Sequence, residues 1–249
     1  MLLSRRVRFF SLRRIYNNKR DITMSNYEVL DNVQHCDLQV AQDLRLNPQD
    51  GLGYVQVFPS ELDAAHKEYP VFFRKNSDTG KFFLVALLAD AFTSNVYLKD
   101  SKWSANYIPL MVRRGPFLMA RVGDELSLCL NLADERVNKP GERLFDDSGT
   151  LTPYAESISK LFSAIHQGHE QTDLLVTALS EHGLIEALEI NDKSPSSDGN
   201  LSGLYSVNPQ KLRQLTGDAL AHLNATGLLQ LAYFIASSSA NIRLLLAAE

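Results

Sequence analysis

The chain has 249 residues, 45% of them apolar and 22% charged, with a net charge of −4. That size supports one large domain or two small ones, and the composition is that of a globular protein. No run of eighteen apolar residues occurs, so no segment spans a bilayer as a helix.

The charge is unevenly placed. Residues 1–23 carry seven basic residues and one acid, a net of +6, which leaves −10 for the rest. An acidic body excludes a general nucleic-acid surface, because binding phosphate requires a positive face. The basic stretch 1–23 has no apolar core of signal-peptide length. It reads as an upstream start, with Met24 as the true beginning, or as a presequence of the transit type. Residues 24–249 are then read as a single domain. Cys36 and Cys129 lack a CxxC partner, and the expectation is two reduced thiols in a cytoplasmic protein.

Taken in order, Asn26–Leu46 reads as an extended lead-in and Asn47–Gly51 as a turn. Tyr54–Phe58 alternates and is rich in β-formers, which predicts a strand. Pro59-Ser-Glu61-Leu62 opens a short helix through His66, stopped by Tyr69 and Pro70. Val71–Arg74 and Lys81–Leu88 form a hairpin around a Gly80 turn. The second strand is continuously apolar, so it should be covered on both faces. Phe117–Val122 and Leu126–Asn131 form another hairpin around Gly123-Asp124. Its Leu126, Leu128 and Leu130 are expected to face the core.

Leu144–Gly149 reads as a compact turn. Thr152-Pro153 starts a helix with Ile158, Leu161, Phe162 and Ile165 on one face. Gly168 weakens the pattern, so His166-x-x-His169-Glu170 reads as a helix end, and a second helical segment runs from Leu174 to His182, closed by Gly183. Strands are expected at Leu184–Ile190 and Leu201–Val207 with a loop over Lys193–Gly199 between them. Asn208-Pro209 caps a further helix, and Gly217 and Gly227 punctuate two more. Strands first and helices afterwards predict an α+β fold, with a mostly antiparallel sheet in the N-terminal half and helices in the C-terminal half.

The stretch with the most distinctive chemistry runs from Trp103 to Phe117. It holds the one tryptophan, Pro109, Pro116 and the adjacent Arg113 and Arg114. The prolines disfavour helix before them, which puts the arginines on extended chain or a short turn. Two guanidiniums held this way make a fork for a carboxylate or other anion. Trp103, Tyr107 and Phe117 would supply an aromatic wall beside it. The structural alternative is pairing of the arginines with acids of the same chain and burial of the rings in the core.

No motif of a catalytic nucleophile, dinucleotide site or phosphate loop is present, and Gly51-Leu-Gly53 is too short to count as one. Asp146-Asp-Ser-Gly149 lacks the ligand spacing of a calcium loop. The histidine cluster at 166–170 falls short of a metal set. No metal, cofactor or catalytic residue is therefore assigned.

Several of these residues carry a family resemblance. Phe58-Pro59-x-Glu61, Tyr69-Pro70-Val71-x-Phe73, Lys81–Leu88 with Asn95, Trp103-x3-Tyr107-x-Pro109-x3-Arg113-Arg114-x-Pro116-Phe117, Leu144-Phe145 with Gly149, and Gly227-Leu228 resemble the SapC family of bacterial proteins. The resemblance runs over roughly Tyr54 to Leu246. It implies association with surface-layer proteins and a place beside TonB-dependent receptors, flavin-type tryptophan halogenases and cupin-like oxygenases. The peptide-transport permease of the same name is a membrane protein and is excluded.

The resulting expectation is a non-enzymatic accessory protein that binds a peptide or protein partner through Arg113, Arg114, Trp103, Tyr107 and Phe117. It would act in the cytoplasm, with cell-surface association implied by the resemblance. The alternatives are a structural surface-layer protein and an enzyme of unrecognised chemistry.

Overall fold

The computed structural model describes residues 26–44, 53–89, 95–99, 102–122, 125–188 and 203–246. The fold is α+β, with strands concentrated in the first half and helices in the C-terminal part. The expected turns at Asn47–Gly51 and Gly123-Asp124, the loop at Lys193–Gly199 and the basic stretch 1–23 lie outside the described residues. Contacts cluster into two compact units. One takes Met1–Gln49 and Arg114–Ala164, the other Asp50–Arg113 and Ile165–Glu249.

In the first unit, β1 (Tyr27–Val29), β5 (Phe117–Val122) and β6 (Glu125–Asn131) form an antiparallel sheet in the order β1-β6-β5. The lead-in is thus a partner strand, with Tyr27 opposite Asn131. Phe117 lies opposite Leu130, as the hairpin reading requires. The expected core face fails at one end. Leu130 is buried and Leu126 is 58% exposed, while Cys129 on the opposite face is buried. The strand is covered on both faces where it lies beside β1 and is exposed beyond it, though still paired with Phe117–Val122, so burial follows position along the strand more than alternation.

Phe145 and Leu151 bridge across the expected turn, which the Asp146 carboxylate organises by accepting from Ser148 N and Thr150 N. These bonds hold the Asp146 carboxyl below its ordinary pKa, with the Ser148 hydroxyl the largest contribution.

The helix Pro153–Glu181 is a single element of 29 residues. Ile158, Leu161, Phe162 and Ile165 are all buried, as their spacing predicts. The expected helix end at His166–Glu170 is absent, because Gly168 is a packing residue and not a breaker. A Cβ at Gly168 would stand 2.5 Å from Phe58 Cγ. The helix ends where expected, at Gly183, whose φ of +61° suits glycine.

The strands of the second unit are β2 (Tyr54–Val57), β3 (Val71–Lys75), β4 (Phe82–Leu87), β7 (Ile185–Ala187) and β8 (Leu204–Val207). They form a five-stranded antiparallel sheet in the order β7-β8-β3-β4-β2. Leu84, Val85, Ala86 and Leu87 are fully buried, which confirms the reading of a strand covered on both faces. The helix Leu228–Ser238 packs on β3 and β8, and Ser238 Oγ accepts from Val71 N at 3.0 Å. Among the described residues no single helix is long and apolar enough to cross a membrane.

Asn208 caps the helix Pro209–Arg213 by accepting from Gln210 N and Lys211 N. Asn208→Ala is expected to cost about 1 kcal/mol in urea unfolding through loss of this cap.

Candidate binding site

The site grows from the turn that follows the strand Tyr54–Val57. Phe58 caps that turn, and Pro59, which has no amide hydrogen to waste, starts the 3-10 turn Pro59–Glu61. Glu61 reaches back, so that its Oε2 accepts from Phe58 N at 2.8 Å. The chain then makes the helical turn Leu62–Ala65, with Leu62 and Ala65 fully buried, and runs on to Tyr69.

Two carboxylates and a phenol on this turn hold a second segment, Trp103–Leu110. Glu61 Oε1 accepts from Tyr107 Oη at 2.8 Å and from Leu110 N at 2.9 Å. Glu68 accepts from Asn106 N at 2.7 Å, from Asn106 Nδ2 at 3.2 Å and from Tyr107 N at 2.9 Å. The Tyr69 hydroxyl donates to the Tyr107 carbonyl and accepts from Trp103 Nε1 at 2.7 Å. Tyr97 donates to the Glu68 carbonyl at 2.9 Å, and its ring lies 4.7 Å from that of Tyr69. The segment is a strap, tied down over most of its length by polar bonds.

Glu61 is 3% exposed, and burial pushes its carboxyl above the ordinary value. The bonds from Leu110, Tyr107 and Phe58 and the positive charge of Arg113 oppose that without overcoming it. Burial also raises the three phenols, Tyr97 to about 12 and Tyr69 and Tyr107 further still. Neutral phenols serve this network as hydrogen-bonding groups, not as acids or bases at physiological pH.

The expected site residues fall into two groups. Trp103 and Tyr107 are half-buried, with their polar atoms engaged in the network above. Arg113 ends the helical turn Leu110–Arg113 and is exposed. Of the two expected arrangements, extended chain or a short turn, the structure has the short turn, in helical form. Pro109 stands at its start, where its carbonyl accepts from Val112 N and Arg113 N.

Gly115 follows with a φ of +58°, a reversal that suits glycine. Arg114 and Phe117 belong to the first unit and are fully buried. Arg114 Nη1 donates to Phe117 O at 3.1 Å, and the Phe117 ring packs edge-on to Tyr154. The backbone therefore does not present two guanidiniums as one outward fork; Arg113 alone faces solvent. Among the described residues Arg113 makes no ion pair or hydrogen bond through its guanidinium.

Glu61, Glu68, Tyr69 and Tyr97 escaped the sequence reading as site residues. Glu61 sits at the third position of a helix start, where a carboxylate commonly caps backwards, and that was the available signal. The pairings of Glu68 and Tyr69 with residues 34 to 39 positions away leave no local trace.

A recess of about 450 Å³ occurs in the first unit, lined by Ala41, Asp43, Glu135, Arg136, Val137 and Lys139. Its Arg136 is 2% exposed and held by Asp134 at 2.7 Å.

No curated protein and no solved structure matches this chain. A family model does, and it spans nearly the whole chain. Three of the segments that carry the resemblance, around Phe58–Glu61, Tyr69-Pro70 and Trp103–Arg113, meet in the network just described. With residues 30–245 matched by the SapC model, the chain belongs to the SapC family.

Proposed function

We propose that this chain is an accessory binding module that captures an anionic peptide or protein segment at Arg113, with Trp103 and Tyr107 beside it. One observation carries the reading. Arg113 is an exposed guanidinium, unpaired among the described residues, on the helical turn that follows a strap anchored through Trp103, Asn106, Tyr107 and Leu110. A cation held on an anchored backbone binds a carboxylate at low entropic cost. On a chain of net charge −4 it also marks a distinct positive spot. The partner we favour belongs to an envelope-receptor or peptide-modifying system, as the family resemblance implies.

The test separates the two arginines. The full chain would be captured gently from lysate, the retained peptides identified by mass spectrometry, and their affinity measured by calorimetry. Arg113→Ala is expected to weaken binding by about 10- to 100-fold, as for one lost charge-assisted bond. It should change stability by less than about 0.5 kcal/mol, because the residue is exposed. Arg114→Ala should instead cost about 2–4 kcal/mol of stability, through a cavity and an orphaned carbonyl. Unchanged affinity in Arg113→Ala would remove the basis for this reading.

A further inference from the structure

We propose that His169 is a proton-operated control on the strap, which it holds in place when neutral and loosens when charged. Its position supports this. His169 stands on the helix Pro153–Glu181 beside Gly168, and its ring packs edge-to-face on Phe58 with centroids 4.9 Å apart. Its Nε2 is buried and has no hydrogen-bond partner among the described residues.

In the neutral ring that vacancy is tolerable. In the cation both ring nitrogens carry hydrogen, and the one at Nε2 has no acceptor. Solvating the new N–H requires the ring to leave its buried position, and with it the edge-to-face contact on Phe58.

Phe58 is coupled directly to the strap. Its amide donates to Glu61, and the same carboxylate holds Tyr107 Oη and Leu110 N. The charged neighbours do not supply a counter-charge in the right place. On the helix, His166 opposes a second positive charge. Asp173 favours one but is exposed and bound by Lys81 at 2.8 Å. On the turn that carries Phe58, the Glu61 carboxylate already accepts from three donors. Burial, the first cause, and His166 together hold the His169 imidazole below its ordinary pKa. The sign follows: a histidine depressed in the folded state costs nothing above about pH 6.5 and destabilises progressively as pH falls below it.

The chain carries its own reporter, since Trp103 is its one tryptophan and donates to Tyr69 within the strap. Emission from the full chain would be followed from about pH 8 to pH 5, through the range in which histidine titrates. The expected result is a change with a midpoint below about 6.5 that is lost in His169→Leu, and a melting temperature that falls over the same interval by about 2–4 °C relative to that of His169→Leu, in which the Glu61 contribution is the same. An NMR titration of the wild-type imidazoles, needing no variant, should show His169 protonating below the ordinary histidine value of about 6.5. An unchanged emission, the same change in His169→Leu, or a His169 midpoint at or above the ordinary value would each overturn the proposal. As a control on ligand capture it rests on the reading of Arg113 given above. The emission experiment uses no ligand, so failure there is distinguishable from failure of Arg113→Ala to affect binding.

Discussion

Glu61→Ala is expected to lower the free energy of unfolding by about 3–5 kcal/mol, measured by urea denaturation. The substitution removes one acceptor group that serves three donors: Phe58 N, Tyr107 Oη and Leu110 N. Each buried donor left without a partner costs about 1–3 kcal/mol. Part is recovered, because water reaches the half-buried Tyr107 hydroxyl and because the penalty for burying a carboxylate vanishes with it. The strap should detach from the turn, and Trp103 emission should shift even where the rest of the fold survives.

Glu61→Gln separates charge from hydrogen bonding. The amide keeps one acceptor oxygen but turns two N–H donors toward groups that are themselves donors, so it too is destabilising. Its pH dependence is the sharper test. Glu61 has its folded pKa raised above the ordinary glutamate value. Stability from such a group is fully present below about pH 4.5 and is lost as pH rises through the raised value. The glutamine has no such loss. The advantage of wild type over Glu61→Gln should therefore be largest in acid and shrink toward neutrality. A gap that widens toward neutrality would mean that the three donors outweigh burial and depress the carboxyl.

The parts of this protein legible in its sequence are those governed by local rules. The hairpin Val71–Lys75 with Phe82–Leu87 follows from two β-rich runs about a glycine turn, and the Asn208 cap from an Asn-Pro before a helical period. The α+β order follows from strands preceding helices. What sequence could not disclose is which long-range partners claim each polar group.

Arg113 and Arg114 are adjacent and chemically alike, yet one ends exposed and the other fully buried. Beside the reversal at Gly115, the buried guanidinium finds an acceptor in the Phe117 carbonyl, and a spacing argument contains neither feature. Tyr107 likewise reads as a binding aromatic, and only the fold shows its hydroxyl and backbone tied to Glu61, Glu68 and Tyr69. The candidate site was thus legible as a stretch, while the division of labour within it was not.

Gly168 shows the same limit, and its substitution has an effect opposite in sign to the sequence expectation. A glycine inside an exposed helix is a weakness, and replacing it with alanine ordinarily stabilises by about 0.5–1 kcal/mol. Here an added Cβ would meet Phe58 Cγ at 2.5 Å, Cβ at 2.7 Å and Cδ1 at 2.7 Å. These atoms form the base of a fully buried ring, so they cannot swing aside as the tip of a long side chain does. Overpacking of this kind costs about 1–3 kcal/mol. With the helix-propensity gain subtracted, Gly168→Ala should destabilise by about 1–2 kcal/mol, and Gly168→Val by more.

Phe58→Ala alone should cost about 3–5 kcal/mol through the cavity it leaves. In the double variant the new methyl enters that cavity, so the combined loss should fall short of the sum by about 1 kcal/mol or more. If Gly168→Ala instead stabilises the protein, the close approach of the helix to Phe58 is wrong, and the histidine contact built on it loses its footing as well.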